Sequence, residues 1–181
     1  MRKYVVALLI AVGAAGVLMV ASIAGASSGK KNVTADVMIG YHEAPSISTA
    51  ASGSFEATID DDAQTIEYTL SYSGLEGDVR QAHIHFAQRG ISGGISAWLC
   101  ETTFNPSPTG AATPDCVQSG TVTGVIRPAD VIGPSGQGIA ANEFNELVAA
   151  LRAGFAYANV HSSKFTGGEI RGQINDDDQR E

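Results

Sequence analysis

The sequence predicts an all-β protein built from short antiparallel strands. Apolar and polar residues alternate most clearly over residues 53–59 and 65–72, and a period of two is typical of a strand with one buried face. The alternating segments are separated by turns rich in Gly, Asp and Ser, which is the pattern of an antiparallel sheet. We therefore expect a β-sheet domain with one short helix.

Eight segments fit this description. Between the second and third segments, residues 60–63 form a turn of Asp and Ala, and the last two segments are expected to form a hairpin-like pair. The eight predicted strands are residues 33–41, 53–59, 65–72, 79–86, 95–99, 120–126, 155–161 and 169–174.

One segment has helical instead of strand spacing. Its apolar residues recur at three- and four-residue intervals, at Phe144, Leu147 and Leu151, as on the buried face of an amphipathic helix. Asn142 is a suitable N-cap and Gly154 a suitable residue after the helix. The pattern predicts a helix over residues 142–153, lying across one end of the sheet.

The N-terminus resembles a secretory signal peptide over residues 1–26. A basic start is followed by an apolar run over residues 4–23 and by small residues at positions 24–26, as at a cleavage site. The run is long enough to span a bilayer, so an uncleaved N-terminal anchor is the alternative. Both interpretations predict export to the periplasm, cell surface or medium. The predicted organisation continues with a linker (27–32), one domain (33–175) and an acidic tail (176–181).

The charge and the cysteines fit an exported chain. The net charge is −8, which disfavours binding to nucleic acid or to anionic lipid, and we expect no membrane contact after cleavage. Cys100 and Cys116 are the two cysteines, and in an oxidising compartment they are expected to pair. Closing this loop contributes about 3 kcal/mol in the chain-entropy model. A reactive or metal-binding pair is the alternative, although the spacing is not that of a CxxC motif.

Three of the four histidines lie in predicted strands. His83 and His85 are two residues apart, so they project from the same face, and His161 lies in a later strand. Imidazole nitrogen is a good ligand for copper and for zinc. His83, His85 and His161 are therefore candidate ligands for one of these metals. His42, in a predicted turn, is a candidate fourth ligand.

The alternative is that the histidines only brace the sheet through hydrogen bonds. Gln81 and Asn159 share faces with His83 and His161, so they are candidates for orienting the rings. Glu169 and Arg171 share a face of the last strand, either as charged partners of the histidines or as a solvated ion pair that contributes little stability. The residues alone leave the metal and bracing interpretations open.

Several motifs, taken in order, resemble the chordin-type (CHRD) domain family over most of the exported chain. The resemblance implies an antiparallel, immunoglobulin-like, Greek-key β-sandwich in a secreted protein, and for single-domain microbial members it implies no defined activity. Chordin antagonises growth factors largely through separate cysteine-rich modules, which this chain lacks, so that role is not carried over. The matching segments are residues 40–45 (GYHEAP), 50–55 (AASGSF), 75–77 (LEG), 82–85 (AHIH), 157–161 (YANVH) and 168–173 (GEIRGQ).

The chain is also similar in type to copper–zinc superoxide dismutase. That family uses a His-x-His strand, a late histidine, an arginine and one disulfide, although its other histidines follow the His-x-His instead of preceding it. We expect a non-enzymatic binding or structural module, with an unidentified extracellular protein or surface ligand as partner. Copper or zinc, bound by the histidines, is its candidate cofactor, and the alternative is a module without a cofactor. The alternative is a copper-dependent redox enzyme. The sequence does not predict an oligomeric state.

Overall fold

The computed structural model describes residues 30–109 and 113–176. The predicted signal segment 1–26 lies outside the described residues, as do most of the predicted linker and residues 177–181 of the predicted tail. Within the described part of the chain, no helix is long and apolar enough to cross a membrane.

The eight predicted strands are all confirmed, and each pairs with its neighbours in antiparallel orientation. One α-helix, α1, covers Phe144–Arg152, and short 3₁₀ helices cover Gly40–His42, Pro128–Asp130 and Ser135–Gln137. The strands are β1 (Lys31–Ile39), β2 (Ser52–Asp60), β3 (Thr65–Ser73), β4 (Val79–Phe86), β5 (Gly94–Cys100), β6 (Gly120–Ile126), β7 (Ala156–Ser162) and β8 (Ile170–Ile174).

The strands form one hydrogen-bonded sheet in the order β5-β4-β7-β8-β1-β2-β3-β6. The two four-stranded halves join where Ile39 pairs with Arg171 and, by an isolated bridge, where Thr34 pairs with Asn175. A register shift in β1 between Ala35 and Met38 has the effect of a bulge, which bends a strand. The pairing continues from β8 to β1, so the predicted division into two sandwiched sheets is not confirmed.

The sheet curls until its two edge strands, β5 and β6, contact each other. The Tyr68 hydroxyl on β3 donates a hydrogen bond to the Leu99 carbonyl on β5 at 2.6 Å. Its ring passes over Gly124 on β6, where a Cβ would overlap the tyrosine. The predicted disulfide is confirmed and ties Cys100, at the end of β5, to Cys116, shortly before β6. These contacts nearly close the sheet around its core.

The core lies inside the curled sheet, and α1 adds Phe144, Leu147 and Leu151 to it. The helix ends as predicted, with Gly154 in the left-handed region at φ 73°. Its start is different from the prediction: Asn142 is not the N-cap, because it lies at φ 69° and the capping position is Glu143. The Glu143 carboxylate accepts a hydrogen bond from the Ala140 amide at 2.7 Å, which fixes the turn that leads into the helix.

Candidate metal centre

The histidines converge because β4 and β7 are neighbours in the sheet. In the register of this pair, His85 lies opposite Tyr157, His83 opposite Asn159, and Gln81 opposite His161. The alternate residues of both strands, such as Ile84 and Val160, belong to the core, so the histidines lie on the outer face. One ring nitrogen from each of His83, His85 and His161 lies within 4.8 Å of the other two.

The cluster is buried although it lies on the outer face of the sheet. His83 is fully buried, His85 is 8% exposed and His161 is 6% exposed. The loop before β5 and the loop between β7 and β8 both reach the rings with backbone carbonyls. Trp98 on β5 lies edge-on to His83, with 4.4 Å between ring centroids. The site is therefore shielded from water by loops and by an aromatic ring.

Two backbone carbonyls set the protonation of two rings. The Gly93 carbonyl lies 3.0 Å from His85 Nδ1, and the Thr166 carbonyl lies 2.9 Å from His161 Nδ1. A carbonyl oxygen can only accept, so each Nδ1 carries the proton and each Nε2 keeps its lone pair. His161 Nε2 then accepts a hydrogen bond from His83 Nδ1 at 3.2 Å. A carbonyl on the far nitrogen is how proteins commonly orient metal-ligating histidines.

Two nitrogens of the cluster have no hydrogen-bond partner. His83 Nε2 and His85 Nε2 are both buried and unpaired. In the protonation state set by the carbonyls, each of these two nitrogens carries a lone pair that accepts no hydrogen bond. Leaving a buried polar atom unpaired costs about 1–3 kcal/mol, and an electron-pair acceptor in the cluster would offset that cost.

Burial keeps the three rings neutral. Removal from water is the main cause that lowers the pKa of His83, and the nearby His161 and His85 lower that pKa further. Burial likewise lowers the pKa of His85, to about 4, against an opposing contribution from the Gly93 carbonyl. The pKa of His161 is also lowered by burial, and Thr166 opposes the shift. Neutral imidazole is the form that binds metal, so the site needs no deprotonation at neutral pH.

A buried charged pair lies beside the histidines, formed by Arg171 on β8 and by Glu43, which follows the 3₁₀ turn Gly40–His42. The Arg171 guanidinium lies 3.9 Å from the Glu43 carboxylate, and both side chains are buried. Arg171 also donates hydrogen bonds to the carbonyls of His42 and Ile91. Asn159 Nδ2 donates to Glu43 Oε1 at 2.5 Å. Burial is the main cause that raises the pKa of Glu43 to about 7, against the opposing charge of Arg171.

An aromatic stack connects this charged pair to the cluster. The rings of His85 and Tyr157 are stacked, with centroids 4.8 Å apart and planes within 4°. The Arg171 guanidinium lies over the Tyr157 ring at 4.6 Å. Because β7 lies between β4 and β8, Tyr157 lies between the arginine and the histidine.

The sequence model of the CHRD domain matches residues 34–174, which is most of the chain. The chain belongs to the CHRD domain family. A search of curated proteins finds no match. In this CHRD domain, the matched region includes all three clustered histidines and both cysteines.

The structure brings three of the four predicted ligands together. His42 lies in the 3₁₀ turn at Gly40–His42 and is not part of the group of clustered ring nitrogens. Its backbone carbonyl, and not its ring, connects it to the site through Arg171. Gln81 lies opposite His161 in the register, and its role in orienting a ring stays a prediction. Asn159 lies opposite His83, but its amide group binds Glu43 and the Ile170 carbonyl.

Glu169 and Arg171 are not the solvated ion pair that was one of the expectations, since both are buried. Instead, Glu169 Oε1 accepts hydrogen bonds from the Thr49 hydroxyl and the Glu76 amide, each at 2.8 Å. Glu169 therefore anchors two loops of the CHRD domain, whereas Arg171 binds the turn that contains His42.

Sequence reasoning missed three residues of the site: Glu43, Trp98 and Tyr157. Glu43 follows a turn, where a carboxylate is normally solvated, so no pattern indicated its burial. Tyr157 was identifiable in principle, since it lies four residues before His161 and alternation places both on one face. Trp98 lies on β5 opposite His83, a pairing that periodicity does not reveal.

The donor set of the CHRD domain fits a transition-metal ion. Ligand bonds of 2.0–2.1 Å in a tetrahedral or trigonal arrangement require nitrogens roughly 3.3–3.6 Å apart. His83 Nδ1 and His161 Nε2 are already 3.2 Å apart, but His83 Nδ1 carries the proton in this state, so the His83 ring must rotate to present its Nε2 lone pair to an ion held by His161. The three rings each place a nitrogen within 4.8 Å of the other two, so rearrangement of side chains alone brings three nitrogens to ligand spacing.

Proposed function

We propose that this chain is an exported CHRD module that holds a transition-metal ion, copper or zinc, at His83, His85 and His161. One observation carries the proposal: Nε2 of His83 and of His85 are buried lone pairs with no hydrogen-bond donor. The role that fits this arrangement is structural stabilisation or sequestration of the metal.

The alternative, in which the histidines only brace the sheet, explains part of the contacts. It accounts for the carbonyl bonds of His85 and His161 and for the His83–His161 hydrogen bond. It does not account for the two lone pairs, on His83 Nε2 and His85 Nε2, that are buried and unpaired, at a cost of about 1–3 kcal/mol each. A bound cation would satisfy both, which favours the metal site.

A copper-dependent redox enzyme would share this donor set. Arg171, the disulfide and the three histidines are the features in common with a dismutase-like site. However, turnover requires that a substrate reach the metal, and the three rings are at most 8% exposed. This burial therefore favours a protein that stores or is stabilised by the metal over an enzyme that uses it in catalysis.

Two features support export. Cys100 and Cys116 form a disulfide, which is characteristic of an oxidising compartment. Residues 1–26 have the composition of a signal peptide. We infer that the module works outside the cytoplasm, in the periplasm, at the cell surface or in the medium.

The decisive experiment is metal titration of the purified, disulfide-bonded protein with copper and with zinc, together with the metal content as isolated. We expect one ion per chain. The His85→Phe variant keeps the stack on Tyr157 but removes the ligand nitrogen, so it should lose binding by at least a hundredfold. His42→Ala is the matched control, since His42 lies outside the cluster, and should bind like the parent. Equal binding by His85→Phe and the parent would refute the site.

A further inference from the structure

We propose that the site selects monovalent copper, Cu(I), over the divalent ions Zn(II) and Cu(II). This inference rests on the proposed function and specifies the ion. It follows from three properties of the donor set: the charge of the donors, their number, and the charge beside them.

The donors carry no negative charge. Within residues 30–109 and 113–176, the group of clustered ligand atoms consists of three histidines and includes no carboxylate and no thiolate. The buried carboxylate of Glu43 is engaged by Asn159 and Arg171 instead. Nothing in the group therefore offsets the charge of a bound ion.

The cost of burying an ion in a medium of low dielectric constant is large, and it rises with the square of the charge. A divalent ion thus costs about four times as much as a monovalent ion of the same size. The rings are at most 8% exposed, so water screens little of this cost. Neutral donors in a buried site therefore favour the lower charge.

The number of donors points to the same ion. Zinc sites in proteins are almost always four-coordinate, with water as the fourth ligand in open sites. Two of the neighbouring polar groups are already engaged: the Asn159 amide binds Glu43 and the Ile170 carbonyl, and the Tyr157 hydroxyl accepts a hydrogen bond from the Gly93 amide. Three nitrogens complete the shell of Cu(I), which is stable with three ligands, but leave Zn(II) one ligand short.

A fixed positive charge lies on one side of the cluster. The Arg171 guanidinium stacks on Tyr157 at 4.6 Å, and Tyr157 stacks on His85 at 4.8 Å. Repulsion between this guanidinium and a bound ion scales with the charge of the ion. The Glu43 carboxylate, 3.9 Å from the guanidinium, balances part of that charge.

The test compares dissociation constants measured by competition. Cu(I) is supplied as its bicinchoninate complex under anaerobic ascorbate, Zn(II) with a chromophoric chelator, and Cu(II) with glycine as competitor. We expect Cu(I) to bind at least a hundredfold more tightly than either divalent ion. For copper, a hundredfold preference corresponds to a rise of about 118 mV in the reduction potential of the bound couple relative to free copper, which voltammetry measures independently.

The Gln81→Glu variant tests the charge argument directly. Residue 81 is half-buried and lies opposite His161 on the neighbouring strand, so the substitution places an anionic donor beside the cluster. We expect it to tighten Zn(II) at least tenfold while leaving Cu(I) within threefold, and His42→Ala to change neither ion. Divalent binding as tight as that of Cu(I) in the parent would overturn the selectivity and leave the metal site standing. If none of the three ions binds, both proposals fail.

Discussion

His83 Nδ1 lies 3.2 Å from His161 Nε2, although 78 positions separate the two residues in the chain. The direction of this hydrogen bond is set from outside the pair, because the Thr166 carbonyl holds the proton of His161 on Nδ1. A metal ion bound to His161 Nε2 would take the lone pair that now accepts from His83. In the metal-free protein, this hydrogen bond links the ligand strands β4 and β7. A bound metal ion would take its place.

The first prediction uses the single tryptophan of the chain. Trp98 lies with its ring centroid 4.4 Å from that of His83, so an open-shell ion in the cluster should quench its fluorescence. We expect Cu(II) to remove most of the emission at one equivalent, and closed-shell Zn(II) to leave most of it. The comparison variant is His161→Gln, in which Cu(II) at the same concentration should leave the emission largely intact. Equal quenching in that variant would show that the copper binds elsewhere.

The second prediction concerns the stability of the metal-free protein in acid. All three clustered histidines have a pKa lowered by burial from the ordinary value of 6.5. Below pH 6.5 the unfolded chain therefore takes up protons that the folded protein does not, so the free energy of unfolding falls as the pH falls. Each proton taken up only by the unfolded chain lowers the free energy of unfolding by about 1.4 kcal/mol per pH unit of acidification. Urea denaturation at pH 7.5, 6.0 and 5.0 measures the effect.

Glu43 opposes this trend. Burial raises its pKa from 4.5 to about 7, so its contribution to stability is present below pH 4.5 and is lost as the pH rises through 7. Between pH 4.5 and pH 6.5, the folded protein binds one extra proton at Glu43, whereas the unfolded chain binds up to three extra protons at the histidines. We therefore expect a net loss of stability on acidification. The Glu43→Gln variant removes the opposing group and should lose stability more steeply. A stability that is constant, or that rises, from pH 7.5 to 5.0 would contradict the assignment.

The pattern of alternation was sufficient to predict the strands and the shared face of His83 and His85. It was not sufficient to predict that β4 pairs with β7, because pairing between strands distant in sequence depends on the whole sheet. It also could not show that loops cover the outer face. For that reason a solvated pair was one expectation for Glu169 and Arg171, whereas the structure buries both and gives them different partners.

The third prediction concerns two adjacent glycines in the loop between β7 and β8. Gly168 has φ +128°, and a Cβ there would lie 2.6 Å from Asn159 Nδ2 and 2.8 Å from Glu43 Oε1. Gly168→Ala should therefore destabilise the protein by about 2 kcal/mol or more, because the backbone would be strained and the hydrogen-bonded side chains of Asn159 and Glu43 would be displaced. Gly167 has nothing within 4 Å of its Cβ position, so Gly167→Ala should change stability by less than about 0.5 kcal/mol. Chemical denaturation distinguishes the two, and equal effects would contradict the packing at Gly168.

The last prediction concerns the closure of the sheet at its two edges. The Cys100–Cys116 disulfide spans 16 positions and ties the edge strand β5 to the segment before β6. Reduction frees the loop in the unfolded chain, which should lower the free energy of unfolding by about 3 kcal/mol. The measurement is urea denaturation with and without a phosphine reductant.

The matched control for the reductant is the double variant Cys100→Ser with Cys116→Ser. It should have the lower stability under both conditions and should not respond to the phosphine. The Tyr68 hydroxyl still binds the Leu99 carbonyl in that variant, so the edge strands keep one contact and we expect the reduced protein to remain folded at room temperature. If reduction left the free energy of unfolding unchanged, the disulfide would not stabilise the closed sheet.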